Sequence, residues 1–510
     1  MRKSFIGSAI LMSVMAVAGC SHQAPMSFGQ ASDRQSDDLK TRLHTALHER
    51  DSSGAILAAR VIDLNTHQEL FAENLDRPMK PASNLKLFTT SATLDRFGPK
   101  HTFDTYLAMD GDDLWIIGTG DPSLGDPKIA KKKHESQLAA FDRWAATLKS
   151  KGITEIKGKL YYYDGAFDAE TVHPSWSRGD LTDWYAAPVT GLNFNDNCID
   201  VSVTPTEPGK PVTYEVMPPL ADLHITNEMT TGGKFVEEPI DRKDKSMNWY
   251  LTGGDPEKKT LGSKCVPYPG AFFADAMRTH FEKLGIHIDG VTERAEKPLD
   301  GKLIPPANKT LLVERSPLPQ VLNRLTKDSQ NLFAEAFNKS LGRQWDLDHG
   351  RDVPGSWKSG SEAVHAFLQK NHIDDSGVKL VDGSGLSHED RITARAMSEM
   401  LATMHTHPYS KTFFEALPIG GVDGTIGKRM KDIAGKIHAK TGYINGVRSL
   451  SGYAQAANGH MLVFTFVYNQ IPGSVAPFEE LQDNACRLLV AYPDVENAHL
   501  KPTTRPARGK

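Results

Sequence analysis

Apolar residues recur at helical spacing over 38–50, then run as two extended stretches, 56–62 and 69–71, around an Asn65-Thr66 turn. From 84 to 94 the helical period returns through Leu85, Phe88, Ala92 and Leu94, closed by Gly98-Pro99. The far end of the chain has the same style. Segments 436–440, 447–455 and 460–468 read as three strands, followed by a helix over 478–491. A strand pair near one terminus and a trio near the other predict one sheet built from both, with helices on its faces, an α/β domain. The middle differs. Short strand patterns at 103–107, 114–117, 159–163 and 199–203 alternate with turn signals such as Asp110-Gly111-Asp112 and Gly253-Gly254. Helical patterns at 137–151 and 270–284 interrupt them. This predicts a strand-rich insertion over 101–310, spliced between main-domain segments 38–100 and 311–495, with a basic tail over 496–510.

Composition adds class but not chemistry. The 510 residues, 39% hydrophobic and 24% charged, suffice for two or three domains. A formal charge of −4, without a basic stripe interleaved with aromatics, argues against nucleic acid as a partner. At the N-terminus, Arg2-Lys3 precede an apolar run over 5–18, too short for a comfortable membrane span, so 1–19 reads as a secretion signal. Val17-Ala18-Gly19-Cys20 resembles a bacterial lipobox, in which Cys20 becomes the lipid-bearing mature N-terminus; a plain secretory peptide is the alternative. Ser21 is not the aspartate that retains lipoproteins at an inner membrane, so the resemblance implies the outer membrane. Residues 20–37 then form a polar, serine-rich tether. Of the remaining cysteines, Cys486 reads as a buried thiol, while Cys198 and Cys265 are candidates to pair in an oxidising compartment.

The candidate chemistry begins at Ser83 and Lys86, one turn apart where a helix opens, so that an amine sits beside a hydroxyl. Alone, the pair reads as well as an N-cap and a solvated lysine. Two further motifs follow in order. Ser329-Gln330-Asn331 lies between helical patterns at 318–325 and 332–341, and Lys440-Thr441-Gly442 ends an edge-strand pattern. Serine-x-x-lysine, serine-x-asparagine and lysine-threonine-glycine in this order are the signature of β-lactamases and penicillin-binding proteins. With Gly118-Thr119-Gly120-Asp121, Asp328 to Glu335, Asp382-Gly383-Ser384-Gly385 and Gly421 to Thr425, the chain resembles the D-alanyl-D-alanine carboxypeptidase/endopeptidase family, the low-molecular-mass class C penicillin-binding proteins. The resemblance implies a β-lactamase/transpeptidase-like catalytic domain with a strand-rich insertion between the first and second motifs. Peptidoglycan stem peptides are the implied substrate and β-lactams the implied inhibitors, with membrane contact through lipid on Cys20.

Acyl transfer assigns the parts. Ser83 is the expected nucleophile, with Lys86 its base, made neutral by crowding against Lys440. Ser329 relays the proton, and Asn331 orients Lys86 and the substrate amide. Lys440 and Thr441 suit a carboxylate, and Gly442 admits the substrate backbone close to the strand. By resemblance, the backbone N–H groups of Ser83 and Tyr443 form the oxyanion hole. Gln330 is expected to point away from the nucleophile and matter little. Asp382 and Ser384 read as turn formers or substrate contacts, His438 as a strand neighbour of Lys440, and Asp164 as a contact for the amino end of a stem peptide. The other histidines show no metal-ligand spacing, so neither a metal nor a cofactor is expected. A β-lactamase and a non-catalytic wall-binding lipoprotein stand as alternatives.

Overall fold

Opposite ends of the chain meet in one six-stranded sheet. The computed structural model describes residues 29–30, 34–50, 54–242 and 245–502. The signal segment, Cys20 and most of the tether and tail readings fall outside them. In order, the sheet runs Gly29–Gln30, Gln68–Glu73, Ile56–Asp63, Met461–Asn469, Val447–Gln455 and Ile437–Ile444. The central pairing is antiparallel and long, with Ile56 opposite Asn469 and Asp63 opposite Leu462. Ile56–Asp63 and Met461–Asn469 are buried nearly throughout, because both faces are covered. On one side the helices Arg34–Leu47 and Ala476–Ala491 pack Leu39, Leu43, Leu481 and Leu488 against Leu450, Phe464 and Phe466. On the other lie the helices Leu85–Phe97 and Ala394–Thr406. Ile437–Ile444, which carries Lys440-Thr441-Gly442, is an outer strand of the sheet, as its pattern predicts.

The middle of the chain forms its own sheets. A five-stranded sheet orders Thr292–Arg294, Leu160–Tyr163, Asp113–Gly118, Thr102–Asp110 and Thr310–Pro317. Thr310–Pro317 pairs with Thr102–Asp110 down to Pro317 opposite Thr102, so the inserted sheet ends at 317, past the expected 310. Helices Ala139–Ser150 and Pro269–Lys283 cover it through Phe141, Trp144 and Phe273, whose rings meet edge to face. Beyond lies a smaller sheet around Cys198–Thr204.

Two expectations about side chains change. Cys198 and Cys265 stand directly opposite across an antiparallel pair, yet both are free, buried thiols whose Sγ atoms turn to the carbonyls of Asp196 and Leu181 at 3.3 and 3.1 Å. Cys486 is also a buried free thiol. The histidines hold one ligand-like group after all. His44 and His48, four apart on a helix, stack at 4.4 Å and bring ring nitrogens and a Glu73 oxygen within 4.8 Å of one another. His48 Nε2 meets Glu73 at 2.7 Å, on the helix face turned to the strand Gln68–Glu73. The helical i,i+4 relation that makes the group was in the sequence and was missed.

Leu450, fully buried, lies between Thr441 on one neighbouring strand and Phe466 on the other. Leu450→Ala removes atoms that the surrounding sheet cannot replace, and is expected to cost about 2–5 kcal/mol. Chemical denaturation of wild type and variant, followed by tryptophan fluorescence, checks this.

Candidate active site

The first motif does not open its helix directly. Ala82–Asn84 form one 3-10 turn and the α-helix Leu85–Phe97 starts after it, with no side chain capping either end-on. The N-cap alternative for Ser83 therefore fails. The turn is forced by close packing. Ala82 takes φ +49°, and a Cβ on Gly385 would stand 2.0 Å from its carbonyl oxygen. A Cβ on Gly442 would stand 2.1 Å from Ser449 Oγ and 2.7 Å from the Pro81 carbonyl. Ser449 Oγ itself donates to that carbonyl at 2.7 Å. Gly442 thus lets the turn that carries Ser83 lie against the edge strand.

Lys86 is fully buried, and its Nζ meets three oxygens: Ser83 Oγ at 3.0 Å, Asn331 Oδ1 at 2.6 Å and the Ser384 carbonyl at 2.9 Å. Burial draws its pKa down to about 8, against Glu335, Asp382 and Asp390, which hold the proton on. Crowding by Lys440 is not the cause. The repulsion registers on Lys440 instead, which burial, then Lys86, then Arg448 hold well below the ordinary lysine range. Lys440 Nζ donates to Ser329 Oγ at 2.8 Å and to the Thr441 carbonyl at 2.6 Å, and Thr441 Oγ1 donates to Thr425 Oγ1 at 2.9 Å. The hydrogen bonds thus form two groups, Ser83 with Lys86 and Asn331, and Lys440 with Ser329 and Thr441, brought side by side by the short Ser329-Gln330-Asn331 segment.

The insertion holds the second motif in place. Ser329 sits at φ +60°, a left-handed conformation that a serine adopts only when its surroundings impose it. Gln330, next to it, is buried; its Oε1 accepts from the Asn331 N–H at 3.0 Å while its Nε2 donates to Asp196 at 2.9 Å. Asp196 belongs to the insertion, in a run Asn195-Asp196-Asn197 that is left-handed throughout, and Arg324 reaches the same carboxylate at 3.1 Å. Asn331 Nδ2 donates to the Tyr185 carbonyl, also in the insertion, at 2.7 Å. Gln330 points away from Ser83, as expected, and its amide bridges Asp196 and the Asn331 N–H.

Other candidates separate. Asp382 shapes a turn, accepting from the N–H groups of Ser384, Gly385 and Ser387 and from Trp176 Nε1. Ser384 joins the site through its carbonyl. The His438 ring stacks on Phe414 at 4.0 Å. Asp164 is held by Arg294, with oxygen–nitrogen distances of 2.7 and 2.8 Å, and none of its described bonds reaches a motif residue. Tyr443 is 58% exposed, its ring below the Arg448 guanidinium at 5.7 Å. Glu335, Tyr185, Asp196 and Thr425 belong to the site and carried no signal of their own in spacing; only segment resemblance touched Glu335 and Thr425.

A serine and a buried lysine in hydrogen-bond contact, with a second lysine on an adjoining edge strand, define an acyl-transfer site on a penicillin-binding-protein fold. The chain matches the D-Ala-D-Ala carboxypeptidase 3 (S13) family over residues 39–485 and belongs to it. It is a serine-type D-Ala-D-Ala carboxypeptidase, a hydrolase. Among its relatives, a D-alanyl-D-alanine carboxypeptidase of Actinomadura sp. (strain R39) is 28% identical over 473 residues, covering 88% of this chain and 84% of the relative. The carboxypeptidase DacB of Haemophilus influenzae is 27% identical over 456 residues, covering 84% and 90%. The crystal structure of penicillin-binding protein 4 from Haemophilus influenzae superposes with a TM-score of 0.68 at 24% identity, covering 86% of this chain and 94% of that one, which shows the shared fold.

Gln330→Ala removes both the tie to Asp196 and the acceptor for the Asn331 N–H. The two hydrogen bonds contribute about 1 kcal/mol each, about 2 kcal/mol together, so a fall in D-alanine release of roughly thirtyfold is expected. Steady-state release of D-alanine from a D-Ala-D-Ala peptide measures it, with folding checked by circular dichroism.

Proposed function

We propose that this carboxypeptidase works through an acyl-enzyme on Ser83, trimming pentapeptide stems of peptidoglycan and also opening D-alanyl–meso-diaminopimelate cross-links. One observation carries the reading: the Lys86 amine has two fixed acceptors, Asn331 Oδ1 and the Ser384 carbonyl, besides Ser83. A neutral amine spends its two N–H bonds on those acceptors and turns its lone pair to the Ser83 hydroxyl. Ser83 Oγ then attacks the carbonyl of the penultimate D-alanine as its proton passes to Lys86. Ser329, bonded to Lys440, relays a proton to the departing amine as the C–N bond breaks. Water afterwards cleaves the ester. The backbone N–H groups of Ser83 and Tyr443 are assigned to the oxyanion, and Lys440 with Thr441 to the carboxylate beside the scissile bond. A terminal D-alanine and a diaminopimelate D-centre both present that carboxylate, so one pocket serves both cuts. Asp164, paired with Arg294 at 2.7 Å, is kept as a contact for the amino end of a stem peptide.

The β-lactamase alternative recedes with the family assignment, and an intact nucleophile–base pair disfavours a merely wall-binding protein. A bacterial envelope location follows the relatives' class. Lipid attachment at Cys20 and an outer-membrane address rest on the Val17-Ala18-Gly19-Cys20 segment. Among the described residues no helix is long and apolar enough to cross a membrane.

Digestion of a monomeric pentapeptide muropeptide and a cross-linked dimer, followed by product analysis, tests the substrate reading: both are expected to be cut, and an intact dimer removes the endopeptidase half. Penicillin should add once, on a peptide containing Ser83, and an adduct on another serine sinks the nucleophile assignment. The Thr441 hydroxyl hydrogen bond to a carboxylate contributes about 1.5–3 kcal/mol, so Thr441→Ala is expected to cost roughly one to two powers of ten on a D-Ala-D-Ala acid. The carboxyl-amidated peptide, compared in both proteins, shows whether the pocket reads charge; equal rates on acid and amide mean that it does not. Palmitate labelling of cells should mark the wild type and not Cys20→Ser.

A further inference from the structure

Behind the reacting lysine lies a carboxyl group that none of the three motifs contains. Glu335 stands four residues after Asn331 on the helix Asn331–Asp348, so both face the Lys86 side. Its Oε2 accepts from the Gly383 N–H at 2.8 Å and from Trp357 Nε1 at 2.7 Å. The next residue along that loop, Ser384, gives Lys86 its carbonyl at 2.9 Å, and Thr89 Oγ1 ties down the Gly383 carbonyl at 2.8 Å. One helix face therefore grips Lys86 twice, through Asn331 directly and through the loop that Glu335 holds. The other carboxyl oxygen, Oε1, is buried without a well-formed hydrogen bond among the described residues, and the nearby Ser384 side chain offsets only part of that burial. An oxygen left so is costly as part of an anion and much less so as part of a neutral acid.

We infer that Glu335 is a positioning and charge-setting residue for the reaction: its carboxyl and the Lys86 amine hold one proton between them, and Lys86 is a base when Glu335 keeps it. This rests on the reading of Lys86 as the base. Other charged groups face the pair from each neighbouring element. Asp382 and Asp390 lie on the adjoining loop, and Asp390 Oδ2 is likewise buried without a partner. Lys339, on the same helix as Glu335, is spent on Asp168 at 2.6 Å and lies 3.7 Å over the Trp357 ring, and His173 meets the edge of that ring at 4.9 Å. Burial, then Asp382, push Glu335 up to about 8, the same value to which burial draws Lys86. The Glu335 charge acts on Lys86 directly, so the two titrate as a pair.

The rate constant for acylation by penicillin, followed by intact-protein mass spectrometry between about pH 5 and 10, tests the inference. In wild type the rate should rise with pH over a range broader than one proton allows. Glu335→Gln removes the strongest of the anions that hold the proton on Lys86, with Asp382 and Asp390 left in place, so its profile should collapse to a single step with a midpoint lower by about one unit, roughly tenfold faster at pH 6 relative to its own plateau. Glu335→Asp keeps the carboxyl and should keep the broad rise. A Glu335→Gln profile with a lower plateau but an unmoved midpoint means a structural brace and overturns the inference, as does a Glu335→Asp profile like that of Glu335→Gln. If Glu335→Gln does not fold, a one-proton profile in wild type overturns it equally. Absence of any Ser83 adduct in wild type instead removes the base reading, and the inference falls with it.

Discussion

Two lysines are buried within one cleft, and the rest of the site is the means of keeping them there. A buried ammonium is costly unless surrounded by oxygen acceptors, and two of them repel. Lys86 and Lys440 are each fully buried, and each is met by hydroxyl, amide or carbonyl oxygens at 2.6–3.0 Å rather than by a paired carboxylate. That choice of partner has a chemical result. A carboxylate in contact would fix the proton on the amine, whereas neutral oxygens position the nitrogen and leave its protonation open. The acids stand one layer back, at Glu335, Asp382 and Asp390, where they act through space on Lys86.

The insertion is part of this arrangement and not an appendage. Its Tyr185 carbonyl holds the Asn331 amide, and its Asp196 holds Gln330 and Arg324. Those contacts fix the loop in which Ser329 is left-handed. The catalytic domain supplies the three motifs, and the inserted sheets supply the outer clamp on the second.

What the sequence disclosed and withheld follows from range. Ser83 with Lys86, Ser329 with Asn331, and Lys440 with Thr441 are short local patterns whose order is diagnostic, and the strands around them carry clear apolar runs. The edge position of Lys440 and the two-ended sheet followed from the same runs. Long-range contacts were hidden. Gln330 looked idle because its partner, Asp196, is 134 residues away in sequence. Gly442 was read for the approach of substrate, and the chain's own atoms that it makes room for belong to Pro81 and Ser449. The depression of Lys86 was credited to the neighbouring lysine, but burial does it, and depth in a fold cannot be read from spacing. Asp164 was carried over by resemblance, and Arg294, the residue that pairs with it, lies 130 positions on.

The sheet at the centre has a consequence in time. Ile56–Asp63 pairs early with Gln68–Glu73 on one edge, but its other edge needs Met461–Asn469, so a ribosome must make some 400 further residues before that edge is covered. Until then a largely apolar strand waits with one open edge, an aggregation liability for the growing chain. The same delay is a safeguard. The turn that carries Ser83 is held against Gly442 and Ser449, which are synthesised late, so a growing or broken chain carries Ser83 and Lys86 without the contacts that enclose them. A hydrolase acting on the wall that contains the cell thus acquires its cutting power only when its synthesis is finished.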